Sequence, residues 1–127
     1  DNGVVVVKAL NETNDNFKWI LIPAPMGGTG QLFFVFKNKG TGKYIFRQIG
    51  QDGTAITTDT YDYTKPGFYW AIGDPWQDKW STIYGMWGEG TPGYLTYNDP
   101  DPHAHLWHTK YDISGHNEVK WWFHLTT

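Results

Sequence analysis

The chain contains no cysteine among its 127 residues. This absence excludes a disulfide framework, a thiol nucleophile and a thiolate zinc site. Because disulfides belong to oxidising compartments, it also favours a cytosolic or non-classically secreted protein. The first residue is Asp1, and neither a basic nor a long apolar leader follows it, so no signal peptide is visible.

Charge and long apolar runs are also scarce. Charged residues make up 18% of the chain, the net charge is −3, and the basic residues are scattered singly. A nucleic-acid groove needs clustered Lys and Arg to release counterions, so we expect no nucleic-acid partner. No apolar run approaches the roughly 20 residues that cross a bilayer, so we expect no membrane insertion.

Signatures of catalysis and of metal binding are missing as well. The sequence has neither a Gly-x-Ser-x-Gly elbow nor a phosphate-binding loop, and no carboxylate pair has a recognisable acid–base spacing. His103, His105 and His108 suggest a metal site, but alternation along a strand places His108 on the face opposite the other two. Residues 98–101 lack the spaced ligands and glycine of a calcium loop. We therefore expect no enzyme, no metal and no cofactor.

Aromatic residues, by contrast, are plentiful at 18% of the chain, and they repeat. Trp19, Trp70 and Trp121 are spaced 51 residues apart, each within a short apolar segment. The turn at residues 40–45 recurs at residues 90–95. Such a period indicates a copied supersecondary unit whose copies share one core. The single domain, residues 1–127, divides into units of about residues 1–30, 31–79 and 80–127, the first without its leading half.

The units consist of β-branched and aromatic segments between Gly, Pro and Asx turns, and no segment has a helical apolar period. We predict ten strands, at residues 4–7, 17–22, 31–37, 44–48, 54–58, around Trp70, 80–87, 93–97, 103–108 and 119–125. This all-β pattern predicts a β-trefoil with a pseudo-threefold repeat whose first unit lacks its leading hairpin. The alternative is an antiparallel barrel or sandwich made of the same hairpins.

The second unit combines an aromatic strand, the turn Asn38-Lys39-Gly40-Thr41-Gly42-Lys43, the pair Tyr44-Ile45 and the closing Phe68-Tyr69-Trp70. It resembles the repeat of the ricin-B-like trefoil lectins, which read as an aromatic strand, Asn-Lys-x-x-Gly-Lys, Tyr-Leu and Gln-x-Trp. The resemblance implies a carbohydrate-binding agglutinin of the divergent fungal type.

Two departures from that family bear on the ligand. Phe17, Phe68 and Val119 occupy the position of the family's Gln. The sugar-binding aspartate that follows the family's Tyr-Leu strand is absent, because Phe46 and Thr96 stand there. The galactose-binding site of that family is therefore not expected in this chain, and the resemblance does not determine which sugar is bound.

Sugar recognition combines a flat aromatic face with polar groups that bond hydroxyls, and rigid scaffolds present such groups on loops. Candidates from the third unit are Asn98, Asp99, Asp101, His103, His105, Trp107, Tyr111 and Asp112. Those from the second unit are Arg47, Tyr61, Asp62 and Tyr63. The competing interpretation is structural: the Asx-Pro segments are turns, Trp107 is core, and each Tyr-Asp pair is a corner whose hydroxyl bonds the backbone. We expect Trp19, Trp70 and Trp121 to be structural.

The leading hypothesis is a non-catalytic lectin whose partners are glycans or glycoproteins. The alternative is a trefoil protease inhibitor that presents a rigid loop, at residues 23–30 or 73–79, to a protease cleft. A third interpretation concerns assembly: the incomplete first unit leaves apolar surface that a second chain covers, giving a homodimer or one part of a larger assembly.

Overall fold

The computed structural model describes residues 3, 5–6, 11, 13–24, 33–47, 56–73, 82–86, 92–97, 105–108 and 121. These residues form antiparallel β-structure with eight strands, two 3-10 helices of three residues each and no α-helix. The all-β prediction is confirmed. Within this part of the chain neither sheet closes on itself.

Two four-stranded sheets follow each other along the chain, each with its strands in sequential order. Sheet 1 contains β1 (Trp19–Pro23), β2 (Phe34–Asn38), β3 (Tyr44–Phe46) and β4 (Thr57–Asp59). Sheet 2 contains β5 (Ala71–Ile72), β6 (Ile83–Met86), β7 (Pro92–Thr96) and β8 (His105–His108). The backbones of Phe34 and Trp70 exchange two hydrogen bonds, of 2.7 and 2.9 Å, and so tie sheet 1 to the start of sheet 2.

These eight strands fall within or beside eight of the ten predicted segments. For the segment predicted at residues 4–7, Val5 N donates to Ile56 O at 2.9 Å beside β4, and Val5 and Val6 are half-buried rather than buried on both sides. Of the last predicted strand, the structure describes Trp121, in an isolated bridge. The strand predicted from residue 17 was placed two residues too early, because Phe17 ends a 3-10 helix.

The two 3-10 helices begin 51 residues apart, at the same spacing as the tryptophans. The first spans Asp15–Phe17 and the second Pro66–Phe68, and in each the residue after the helix donates its N–H to the first helical carbonyl, at 3.0 and 3.1 Å. The second begins with Pro66, whose fixed φ suits the first helical position. Each helix therefore delivers the chain to a tryptophan, Trp19 or Trp70, at an equivalent point.

The turns before these helices are also copies of each other. Asn11 Oδ1 accepts from Thr13 N at 3.1 Å and from Thr13 Oγ1 at 2.8 Å. Asp62 Oδ1 accepts from the same two atoms of Thr64, at 3.0 and 2.6 Å. Such Asx turns let a side chain replace a backbone acceptor. Two copies of the unit thus share their hydrogen bonds as well as their spacing.

The third tryptophan reproduces a contact of the second. Trp70 Nε1 donates to Ile45 O at 3.4 Å, and Trp121 Nε1 donates to Leu95 O at 2.9 Å. Ile45 and Leu95 are themselves equivalent in the sequence repeat. Each indole therefore fastens the end of its unit to the middle strand of the same unit.

The main core takes residues from both sheets and from the segments beside them. Its buried members are Phe36, Ile45, Ile56, Trp70, Ile83 and Leu95. Trp70 is 0% exposed, while Trp19 and Trp121 are half-buried against this cluster. Burying such rings stabilises the fold by roughly 2–3 kcal/mol each. The structural role expected for the tryptophans agrees with these positions.

Sheet 1 is covered on its other face too. Because successive strand residues alternate between faces, Phe36 and Ile45 enter the main core while Val35, Tyr44 and Phe46 face away from it. Buried Val35, Phe68 and Tyr69, with Tyr44 and Phe46 against them, form a second group, hereafter the outer cluster. Phe68 and Tyr69 belong to the segment after β4, which therefore folds back over sheet 1.

The predicted hairpin turn after β2 is present, and Asn38 organises it. This residue is buried, its Oδ1 accepts from Gly40 N at 3.1 Å and Thr41 N at 3.0 Å, and its Nδ2 donates to Asn16 O at 2.9 Å. Gly42 takes φ +76, a conformation that favours glycine. The side-chain amide of Asn38 thus closes the hairpin and also holds the first 3-10 helix beside it.

Candidate functional site

The outer cluster supports an aromatic surface at the segment that follows β4. The ring of Tyr61 lies 5.1 Å from that of Tyr44 and meets Phe68 edge-on at 5.6 Å. Phe46 and Phe68 are 4.7 Å apart beneath it. Tilted and edge-to-face pairs at these distances are favourable, so the underlying rings hold Tyr61 in a fixed orientation.

Two tyrosines of this segment remain open to solvent. Tyr61 is 37% exposed and Tyr63 is 76% exposed. Most large aromatic side chains lose more of their surface than Tyr63 does, and an exposed ring beside a packed one provides an apolar face with polar edges. Tyr44, Tyr61, Asp62 and Tyr63 are hereafter the candidate surface.

A chain of hydroxyl groups fixes this segment. Tyr69 OH donates to Tyr63 O at 2.8 Å and lies 2.8 Å from Tyr61 OH. A phenol has one proton, and that of Tyr69 is used on the carbonyl, so Tyr61 is the donor to Tyr69. The structural alternative was a corner in which the Tyr61 hydroxyl bonds the backbone. It differs in the structure, where Tyr61 bonds the Tyr69 hydroxyl and Tyr69 bonds the backbone at Tyr63 O.

Asp62 contributes a carboxylate, and it stands between the two exposed tyrosines in the sequence. Hydrogen bonds from the side chain and backbone of Thr64 lower the pKa of Asp62, with a smaller contribution from the charge of Lys65. The group is therefore ionised at neutral pH. Both bonds from Thr64 end on Oδ1, and no described residue bonds the second carboxylate oxygen. A carboxylate oxygen in that state can accept from a ligand hydroxyl.

Arg47 lies in the interior, although the sequence suggested a ligand contact. It is 2% exposed, its Nη1 donates to Gly67 O at 3.3 Å and to Tyr69 O, and its guanidinium lies 4.7 Å from the centroid of the Trp70 ring. Burial lowers the pKa of Arg47 to about 10, so it remains a cation at neutral pH. Arg47 thus connects the second 3-10 helix, Pro66–Phe68, to β3 and does not belong to the candidate surface.

A row of side chains across sheet 1 flanks the surface. The strand register pairs Ile20 with Lys37, Lys37 with Tyr44, and Tyr44 with Asp59. Lys37 Nζ lies 6.0 Å from the centroid of the Tyr44 ring, at the limit of a cation–π contact. Directly opposed residues share one face of an antiparallel sheet. The row therefore adds an aliphatic group and a cation beside the tyrosines.

Most third-unit candidates lie outside the described residues: Asn98, Asp99, Asp101, His103, Tyr111 and Asp112. His105 and Trp107 are on β8, where the register pairs them with Thr96 and Tyr94. Tyr94 also pairs with Tyr84, and their rings are 5.7 Å apart. Sheet 2 thus carries a tyrosine pair at the place equivalent to Tyr44.

Sequence reasoning missed Tyr44, Tyr94, Tyr84 and Lys37 as neighbours of the candidate residues. The repeat contained a signal for two of them, since Tyr44 and Tyr94 follow the copied turn at a spacing of 50 residues. The histidine metal site cannot be placed, because the described residues do not include the side chains of His103, His105 and His108. Most of the two proposed inhibitor loops, at residues 25–30 and 74–79, likewise lies outside the described residues.

No protein-family model, curated protein or solved structure matches the chain. Among the described residues, no helix has the length and apolar character needed to cross a bilayer.

The hydroxyl chain predicts an alkaline loss of stability. Burial is the largest cause that raises the pKa of Tyr69, from 10.0 to about 12. Between these values the folded state retains a proton that the unfolded state has lost, so the stabilisation is complete below pH 10 and disappears towards pH 12. We expect the free energy of unfolding, measured by urea titration across this range, to fall with pH.

The Tyr69→Phe variant is the matched control, because it removes the ionisable group and keeps the ring. Its stability should fall less steeply with pH over the same interval, while the contribution of Tyr94, whose pKa burial also raises, stays common to both proteins. Equal slopes for the two proteins would contradict the assignment.

Proposed function

We propose that the protein is a non-catalytic lectin with a β-trefoil fold that binds glycans at the candidate surface. The observation that carries this proposal is the pair of solvent-exposed rings, Tyr61 and Tyr63, which flank the ionised Asp62 in the sequence. An aromatic face can cover the apolar side of a pyranose while the carboxylate accepts from its hydroxyls. Tyr44 and the outer cluster hold Tyr61 in place before a ligand arrives.

The trefoil part of the proposal is supported by the internal repeat. The turn and 3-10 helix at Asp15–Phe17 recur at Pro66–Phe68, and the indole bond of Trp70 recurs at Trp121. Copies related in this way suit an arrangement around a common axis. The resemblance of the second unit to ricin-B-like repeats points to the same fold.

The candidate surface is small and solvent-exposed, so single-site binding should be weak. A few hydroxyl bonds and one or two stacked rings stabilise a complex only modestly against the loss of translational freedom. Useful strength would then come from several sites on one glycan polymer or from several copies of the protein. Screening must accordingly reach millimolar ligand.

The direct test measures glycan binding by wild-type protein and by variants of the two exposed positions. Tyr63→Ala should weaken binding about three- to tenfold, since it removes a stacked ring. Tyr63→Phe should bind nearly as wild type, because it keeps the ring. Asp62→Asn should also weaken binding, as it removes the charge while an amide oxygen can still form the turn seen at Asn11.

A glycan array followed by titration of the best ligand supplies both measurements. Tyr63 is 76% exposed, so its replacement should leave the unfolding transition unchanged and separate binding from folding. A blank array under millimolar conditions would end the lectin proposal. Full affinity in Tyr63→Ala would move the site away from the candidate surface.

A further inference from the structure

We propose that Asn11 is an acceptor for an N-linked glycan, which requires the chain to enter the secretory pathway, in place of the cytosolic or non-classical location expected from the absence of cysteine. Asn11-Glu12-Thr13 is the sole Asn-x-Ser/Thr sequon in the chain. Asn11 and Thr13 are both exposed, and the Thr13 hydroxyl donates to Asn11 Oδ1 at 2.8 Å. The two residues that define the sequon are therefore in contact at the surface.

The folded protein has room for the modification. An N-linked glycan is bulky and hydrophilic, so a chain that carries one can fold only if the modified amide remains in water. The turn uses the Asn11 carbonyl oxygens, Oδ1 for Thr13 and the backbone O for Asn14 N at 3.2 Å. No hydrogen bond among the described residues uses Nδ2, the atom that would carry the sugar.

The transfer needs a lipid-pyrophosphate-linked oligosaccharide as donor. A bond forms between Asn11 Nδ2 and the anomeric carbon, and the bond from that carbon to the pyrophosphate oxygen breaks. The lipid pyrophosphate leaves with the electron pair, and Nδ2 releases one proton to solvent. The transferase supplies the catalysis, and this chain supplies the acceptor.

The internal repeat provides a matched control for the acceptor. Asp62-Tyr63-Thr64 occupies the equivalent place in the second unit and forms the same turn with a carboxylate in place of the amide. Asn11→Asp should therefore preserve the turn and remove the nitrogen that accepts the glycan. Conversely, Asp62→Asn creates a sequon in the same turn, beside the exposed Tyr63.

The experiment expresses the full chain behind a cleavable secretion leader in a eukaryotic cell and measures the intact mass of the secreted protein. Wild type should carry one glycan that peptide-N-glycosidase removes, leaving aspartate at position 11. Asn11→Asp and Thr13→Ala should carry none. The double variant Asn11→Asp, Asp62→Asn should carry one glycan, at position 62.

A secreted wild-type chain without a glycan overturns the proposal, and so does a glycan that persists in Asn11→Asp. Circular dichroism of Asn11→Asp verifies that the variant folds, so that a lost glycan reports on the acceptor. The readout is mass and does not involve the candidate surface, so it stands whether or not the protein binds sugars.

Discussion

Replacing Trp70 with alanine should lower the free energy of unfolding by about 3–5 kcal/mol. The side chain is 0% exposed and lies at the centre of the main core. Its loss would leave a cavity and remove the hydrogen-bond donor to Ile45 O. It would also remove the aromatic ring that contacts the Arg47 guanidinium. Because small domains are stable by only about 5–15 kcal/mol, this is a large share of the total.

Urea unfolding followed by circular dichroism measures this loss without depending on tryptophan fluorescence. Trp70→Phe keeps much of the ring and should cost less than Trp70→Ala, which preserves a measurable folded state if the alanine variant fails to fold. Tyr63→Ala is the surface control and should change stability by less than about 0.5 kcal/mol. A loss below about 1 kcal/mol for Trp70→Ala would contradict the central position of this ring.

The strands were predictable because their signals are local. The hairpin of β2 and β3 follows from two apolar segments around an Asn-Lys-Gly-Thr-Gly turn, and Asn38 and Gly42 perform the roles that such residues have in turns. The spacing of the tryptophans predicted equivalent copies, and Asn11 and Asp62 share their turn geometry.

The 3-10 helices were not predictable from the same signals. A helix of three residues has no apolar period, and Phe17 and Phe68 extend the apolar segments that follow them. Both phenylalanines therefore looked like strand residues. The sequence still contained a partial indication of these helices. Asn14 precedes the first one and Pro66 begins the second, and Asn and Pro are residues that favour the start of a helical turn.

Arg47 shows how a polar residue after a strand can be misread. Its charge suggested a ligand contact, yet alternation places it on the same face as Ile45, which is in the main core. The partners that make burial possible, Gly67 O and Tyr69 O, are 20 and 22 residues further along the chain. Contacts between residues so far apart in the sequence give no local signal. The alternation of side chains along the strand, however, could have been used to predict that Arg47 faces the core.

Replacing Arg47 with alanine should cost about 3–5 kcal/mol of stability, because the buried carbonyls of Gly67 and Tyr69 would lose a charged donor. Arg47→Lys keeps the charge without the planar fork, so its loss should be intermediate. Chemical denaturation of both variants supplies the comparison, with Lys43→Ala as the exposed cationic control.

A comparison of stability with glycan affinity distinguishes this structural cation from a ligand-binding group. Since the folded-state pKa of Arg47 is lowered to about 10, the cation is disfavoured by folding, and that penalty is constant below this pH and decreases only above it. The loss in Arg47→Ala should therefore be the same throughout the neutral range. If Arg47→Ala instead folds as stably as wild type and loses only glycan affinity, the guanidinium belongs to the binding surface and its interior position is refuted.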